Sequence, residues 1–132
     1  MAQLINMKEI PKNTVIHVKV VSQMFDQEFE GDFKVHRPSL DELRSVSMDM
    51  SESNNGMPYT VTHIAALMLA VFELGRVVDS APDWWVPVLE AQDSFVIMRV
   101  YNEYSEWKRS PFRYEERRLA EAEAKQEKSE TK

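Results

Sequence analysis

The chemistry open to this chain is bounded by a short inventory of polar side chains. Its three histidines are His17, His36 and His63. None has a second histidine or a carboxylate at the i+3 or i+4 spacing that sets two metal ligands on one helical face. The three glycines, Gly31, Gly56 and Gly75, are isolated, so no loop of successive backbone N–H groups is indicated that could cradle a phosphate. No serine stands in a nucleophile-elbow context. Asp26, Glu28, Glu30 and Asp32 recur every second residue, like one face of a strand. Asp49 to Gly56 echoes a calcium loop but lacks the alternating acidic ligands and the closing bidentate glutamate. A pocket joining His63, Asp93 and Tyr101 would be needed to revive a catalytic or small-molecule reading. No catalytic residue, metal or cofactor is predicted.

The elements that would position these groups follow from periodicity. Thr14 to Val21 places Ile16, Val18 and Val20 on one face, and Glu28 to His36 places Phe33 and Val35 opposite Lys34 and His36, which predicts two half-buried strands. Their turn falls at Phe25–Gln27 or at Glu30–Gly31–Asp32, and Phe29 changes strand with that choice. Ser39 with Glu42 has capping-box spacing and opens a helix with Leu40, Leu43, Val46 and Met50 in one stripe. Ser53-Asn54-Asn55-Gly56 ends it. Thr60 or Thr62 caps a second helix, extending to about Asp79, whose centre from Ile64 to Phe72 is apolar all round. Such a helix belongs inside the core or against a partner. Pro82 follows its end, Trp84-Trp85-Val86-Pro87 form an apolar bridge, and Gln92 or Asp93 opens a third helix carrying Ile97, Val100, Tyr101, Tyr104 and Trp107 up to Pro111.

These elements predict a mainly α fold with a small N-terminal β-hairpin, an α+β arrangement in which three core helices pack with the hairpin. Residues 1–112 form a single globular domain, and 113–132 a charged tail, helical and then frayed. That tail holds six acidic and six basic residues, so the net charge of −6 resides in the domain before it. A chain that is 43% hydrophobic and 29% charged can build a core. An acidic domain without a basic patch disfavours nucleic acid. The longest apolar run is nine residues, against the roughly 20 that cross a bilayer, so no membrane role is expected. With no cysteine there are no disulfides, which fits a reducing, cytoplasmic setting.

What remains is binding. Trp84 and Trp85 are adjacent and cannot both bury on one side of a regular element; either one plugs the core while the other covers an edge, or one stays exposed as an aromatic anchor for a partner. Met48, Met50 and Met57 flank the polar loop as a soft apolar edge, methionine being the side chain that adapts most readily to irregular surfaces. The expected contact surface therefore comprises Trp84, Trp85, Met48, Met50 and Met57, with self-association left open.

The order of signals also carries a family resemblance. A hairpin ends in Phe33-Lys34-Val35-His36-Arg37-Pro38-Ser39-Leu40, and an alanine-rich helix leads to Ala81-Pro82-Asp83-Trp84-Trp85. Tyr101, Tyr104 and Trp107 then precede Pro111-Phe112-Arg113. Over roughly residues 14 to 113 this resembles the tail assembly chaperones of long-tailed (siphovirus-type) bacteriophages. The resemblance implies a mainly helical protein of the infected host's cytoplasm that binds the phage tape measure protein. It would keep that protein soluble while tail tube subunits polymerise around it. In that family a frameshifted extension recruits the tail tube protein. The alternatives are a structural tail component, such as a connector or completion protein, and a small cytoplasmic regulator or adaptor.

Overall fold

The computed structural model describes the backbone of residues 7–130 and the side chains of residues 7–126. Strands β1 (Asn13–Ser22) and β2 (Gln27–His36) pair antiparallel with Ile16 opposite Phe33, Val18 opposite Gly31 and Val20 opposite Phe29. Period-two alternation sends Ile16, Val18, Val20, Phe29, Phe33 and Val35 to one buried face. The turn occupies residues 23–26, with Asp26 in the left-handed region (φ 52°) that short polar side chains tolerate, and Phe29 therefore belongs to β2. Ser22 Oγ accepts the Phe25 N–H and donates to Asp93 Oδ2 at 2.6 Å, tying the turn to a distant helix cap.

The fold is mainly helical beyond this hairpin. Helix α1 (Leu40–Ser53) starts with both bonds of a capping box: Ser39 Oγ accepts the Glu42 N–H, and Glu42 Oε1 accepts the Ser39 N–H. It ends in a Schellman arrangement, Gly56 N–H to Ser51 O and Asn55 N–H to Glu52 O, with Asn55 left-handed. Helix α2 (Thr62–Val77) begins behind Val61, which offers no side-chain cap, so neither Thr60 nor Thr62 fills that role. A three-residue strand β3 (Val78–Ser80) leaves α2 directly and pairs with the free side of β2, giving sheet order β1-β2-β3. It is too short to show periodicity. The apolar bridge after Pro82 is the start of helix α3 (Trp85–Ala91), which Gln92 closes in the left-handed conformation. Asp93 caps α4 (Ser94–Arg109) through the Val96 N–H.

Helix α4 supplies Val96, Ile97, Val100, Tyr104 and Trp107 to one apolar cluster with the hairpin face, Trp85, Val88 and the C-terminal half of α2. Helix α5 (Pro111–Glu130) starts with proline at its first position, where the missing N–H is no loss. It crosses the expected domain limit at residue 112. Tyr114 is buried in the same cluster and donates to Glu103 at 2.9 Å, while Arg117 binds Glu103 and Glu106. The first turns of the charged segment thus dock, through a tyrosine and an arginine that composition alone hides.

Pro82 and Trp84 close over the hairpin at Gly31. A Cβ built on Gly31 would stand 2.4 Å from Pro82 Cγ, closer than atoms can approach. The Trp84 ring stacks on Phe29 with centroids 5.0 Å apart, and its indole N–H donates to Glu30 O at 3.2 Å. Gly31→Ala should therefore destabilise by about 1–3 kcal/mol through overpacking. Gly75→Ala, where the new methyl meets open space in a helix, should be neutral or stabilising by about 0.5–1 kcal/mol. Urea unfolding midpoints of the two variants check the contrast.

Candidate functional site

Helix α1 buries one side chain, Val46. Leu40 and Leu43 of its predicted apolar stripe stay exposed, Leu40 at 86%. The stripe beyond Leu40 faces a cleft of about 570 Å³ between α1, the loop 56–59 and the N-terminal half of α2. Leu43, Val46 and Met50 line one wall, Met57, Pro58 and Tyr59 the rim, and Ala65 and Leu69 the other wall, with Glu73 among the lining residues. The rim is braced by Asn54, whose amide donates to Met57 O and Pro58 O (3.0 and 3.1 Å), and by a hydrogen bond between Ser53 and the Tyr59 hydroxyl.

Glu73 is 3% exposed, and a buried carboxylate needs partners. Its Oε2 accepts Tyr104 Oη at 2.6 Å and Lys108 Nζ at 2.7 Å, and Tyr101 Oη lies 3.5 Å from Oε1. Desolvation, with the Glu73 charge beside them, pushes both tyrosines above their ordinary pKa. Both hydroxyls are thus held protonated as donors to a carboxylate that Lys108 neutralises. The arrangement clamps α2 to α4. The clamp was not expected from the sequence; a lone acid closing a long apolar helical run, with Tyr101, Tyr104 and Lys108 on one face of the next long helix, is the signal that could have found it.

The expected contact residues fall in different places. Met50 and Met57 meet in the cleft. Met48 is 55% exposed and is not part of its lining. Trp85 is buried in the core cluster and Trp84 is packed on Phe29 and Phe33, so neither tryptophan lines the cleft. His63, Asp93 and Tyr101 do not converge: His63 is exposed at the start of α2, Asp93 is engaged with Ser22 and Val96, and Tyr101 lies by Glu73. Asp49 of the calcium-like stretch pairs with Arg76 at 3.1 Å. Among the described residues no cluster of three histidine, aspartate or glutamate side chains could hold a metal ion, and no helix is long and apolar enough to cross a membrane.

No family model matches this chain, and neither a curated protein nor a solved structure is significantly similar to it. The expected kinship with phage tail assembly chaperones is corrected accordingly. Nothing in these comparisons supports bacteriophage origin, tail assembly, chaperone activity or tape measure binding, and the mainly helical fold is what stands of that expectation.

One further contact holds α1 in place. His36 Nε2 lies 2.8 Å from Glu42 Oε2, and Nδ1 lies 3.0 Å from Asp79 Oδ1. Both ring nitrogens can donate only in the imidazolium form. The Glu42 hydrogen bond, aided by Asp79 and opposed by desolvation, raises the His36 pKa above its usual 6.5. The same bond, followed by that from Ser39, lowers Glu42 below its usual 4.5. Stability from His36 is fully present below about pH 6.5 and is lost as pH rises through its raised folded value. That from Glu42 is present above about pH 4.5 and is lost as pH falls through its lowered value. Hydrogen exchange in α1, corrected for intrinsic rates, should therefore quicken when pH is raised from roughly 6 to roughly 9. His36→Asn should remove that pH dependence.

Proposed function

We propose that this chain is a non-catalytic binding module that takes an amphipathic helix of a partner polypeptide into the α1–α2 cleft. The observation that carries this reading is apolar surface left uncovered on two adjoining elements. Helix α2 buries its apolar side chains chiefly in its C-terminal half, at Ala70, Leu74 and Val77, while Ile64 in its first turn and Val61 at its N-cap remain exposed. Leu43 adds to this surface from α1, and Met57, 65% exposed, from the rim. Contiguous apolar surface of this kind is characteristic of interaction sites. A groove walled by two helices accepts a third helix laid along it, with anchors at i, i+3 and i+4. Met50 and Met57 suit variable anchors because the thioether side chain repacks easily. The net charge of −6 carried by residues 1–112 favours a partner helix whose polar face is basic.

The reading predicts that an 18-residue amphipathic Leu/Lys peptide binds the intact chain by calorimetry, whereas a Ser/Lys peptide of the same charge does not. Leu43→Glu and Met57→Glu should each weaken binding by about tenfold or more, a cost near 1.4 kcal/mol, and Met48→Glu should leave it unchanged. Equal binding of the two peptides, or indifference to both cleft variants, would sink the proposal.

A further inference from the structure

The hairpin has a second surface suited to binding, at the outer edge of β1. Arg37 N–H donates to Lys12 O at 2.7 Å, which makes residues 12 and 37 a hydrogen-bonded pair. Stepping in twos along the register, Thr14, Ile16, Val18 and Val20 turn their backbone groups toward β2. The groups of Val15, His17, Lys19 and Val21 consequently point away from the sheet. Two independent contacts agree with this phase. Arg118 of α5 donates to Val15 O on the outer side of β1, and the Trp84 indole donates to Glu30 O on the far side of β2.

Helix α5 bonds the edge of β1 as far as Val15, and beyond it Glu121 and Lys125 border a polar space of about 450 Å³ beside His17 and Lys19. Among the described residues nothing bonds the backbone N–H or C=O of His17, Lys19 or Val21. Alongside this stretch lies a groove of about 660 Å³ between β1 and the start of α4, with Lys19, Val21, Met24, Phe95 and Arg99 in its lining. Lys19 at mid-edge is the kind of charge that blunts a strand edge against aggregation. Blunting does not account for the far end, where Val21, Met24 and Phe95 are 59%, 60% and 66% exposed.

We propose that the free edge from His17 to Val21 accepts an extended segment of another polypeptide as an added antiparallel or parallel strand. Unpaired N–H and C=O groups in strand register recognise another strand, and the groove beside them takes its alternate side chains. Five residues span about 17 Å at strand rise, so a short segment fills the site. Its apolar side chain rests on Val21, Met24 and Phe95. A second copy of β1 is a poorer occupant, because a two-fold axis centred on the free stretch sets Lys19 directly opposite Lys19. This site is separate from the α1–α2 cleft.

A random dodecapeptide library selected on the immobilised intact chain, followed by titration of the enriched peptides, tests the proposal. The edge variants are Lys19→Pro, which deletes an outward N–H without breaking the β1–β2 ladder, and Phe95→Asp, which removes the exposed apolar platform. Binding should fall by about tenfold or more in both variants and stay unchanged in Leu43→Glu. If Lys19→Pro lowers the helical and strand content by circular dichroism, Phe95→Asp alone decides. Failure to enrich any peptide, or binding indifferent to the edge variants, overturns the proposal. So does a concentration-dependent dimer that Phe95→Asp or Lys19→Pro abolishes, since the occupant is then a second copy. Because Leu43→Glu acts only on the cleft, failure at the edge is distinguishable from failure of the α1–α2 reading.

Discussion

A hairpin of two ten-residue strands with one apolar face cannot hold its shape alone in water, and the burial of that face against α4 is the interaction on which the other contacts depend. Ile16, Val18, Phe33 and Val35 are almost wholly buried there, as are Val96, Val100, Tyr104 and Trp107 of the helix. Each of those side chains contributes roughly 1.5–3 kcal/mol relative to exposure, and together they outweigh any surface ion pair in the chain. The polar contacts are arranged to hold this layer in register. Ser22 and Asp93 join the turn to the α4 cap, Gly31 lets Pro82 and Trp84 close over the sheet, and Glu103 pins α5 beneath.

That layer leaves the start of α2 with little to pack on. The clamp from Glu73 to Tyr104 and Lys108 fixes the C-terminal part of α2 to α4, and Leu67, Ala70 and Val71 still meet the core, so it is the residues of the first turn of α2 that extend beyond it. Helix α1 is the element left to cover them, and it does so incompletely. It buries Val46 and is otherwise held by ionic contacts, His36 with Glu42 and Asp49 with Arg76. Such contacts are partly exposed, so α1 belongs to the less stable part of the molecule, where binding elements are commonly found. The cleft is thus a consequence of how the hairpin is covered.

Much of this was legible in the residues. The strands, the capping box at Ser39, the polar loop after α1 and the aromatic face of α4 follow from local periodicity and caps, and they lie where those signals place them. Other features depend on contacts distant in sequence. Nothing local marks β3, which exists because α2 delivers three residues to the open side of β2. Tyr114 and Arg117 sit in a segment rich in charge, and their docking depends on Glu103 eleven and fourteen residues earlier. The adjacent tryptophans could be assigned to core or surface only once Gly31 had opened a place for Trp84. In the candidate site, Met50 and Met57 could be named from the sequence. Glu73, Tyr59 and Leu69 could not be joined to them without the packing of α1 on α2.

The central claim is that the α1–α2 cleft is where an amphipathic helix binds. The most direct measurement is a methyl spectrum of the chain labelled with ¹³C at its methionine methyls, recorded while the Leu/Lys peptide is added. The account predicts saturable shifts of Met50 and Met57, which line the cleft, with Met24 at the hairpin turn unmoved. Shifts confined to Met24, or a titration that leaves Met50 and Met57 unchanged, would contradict it.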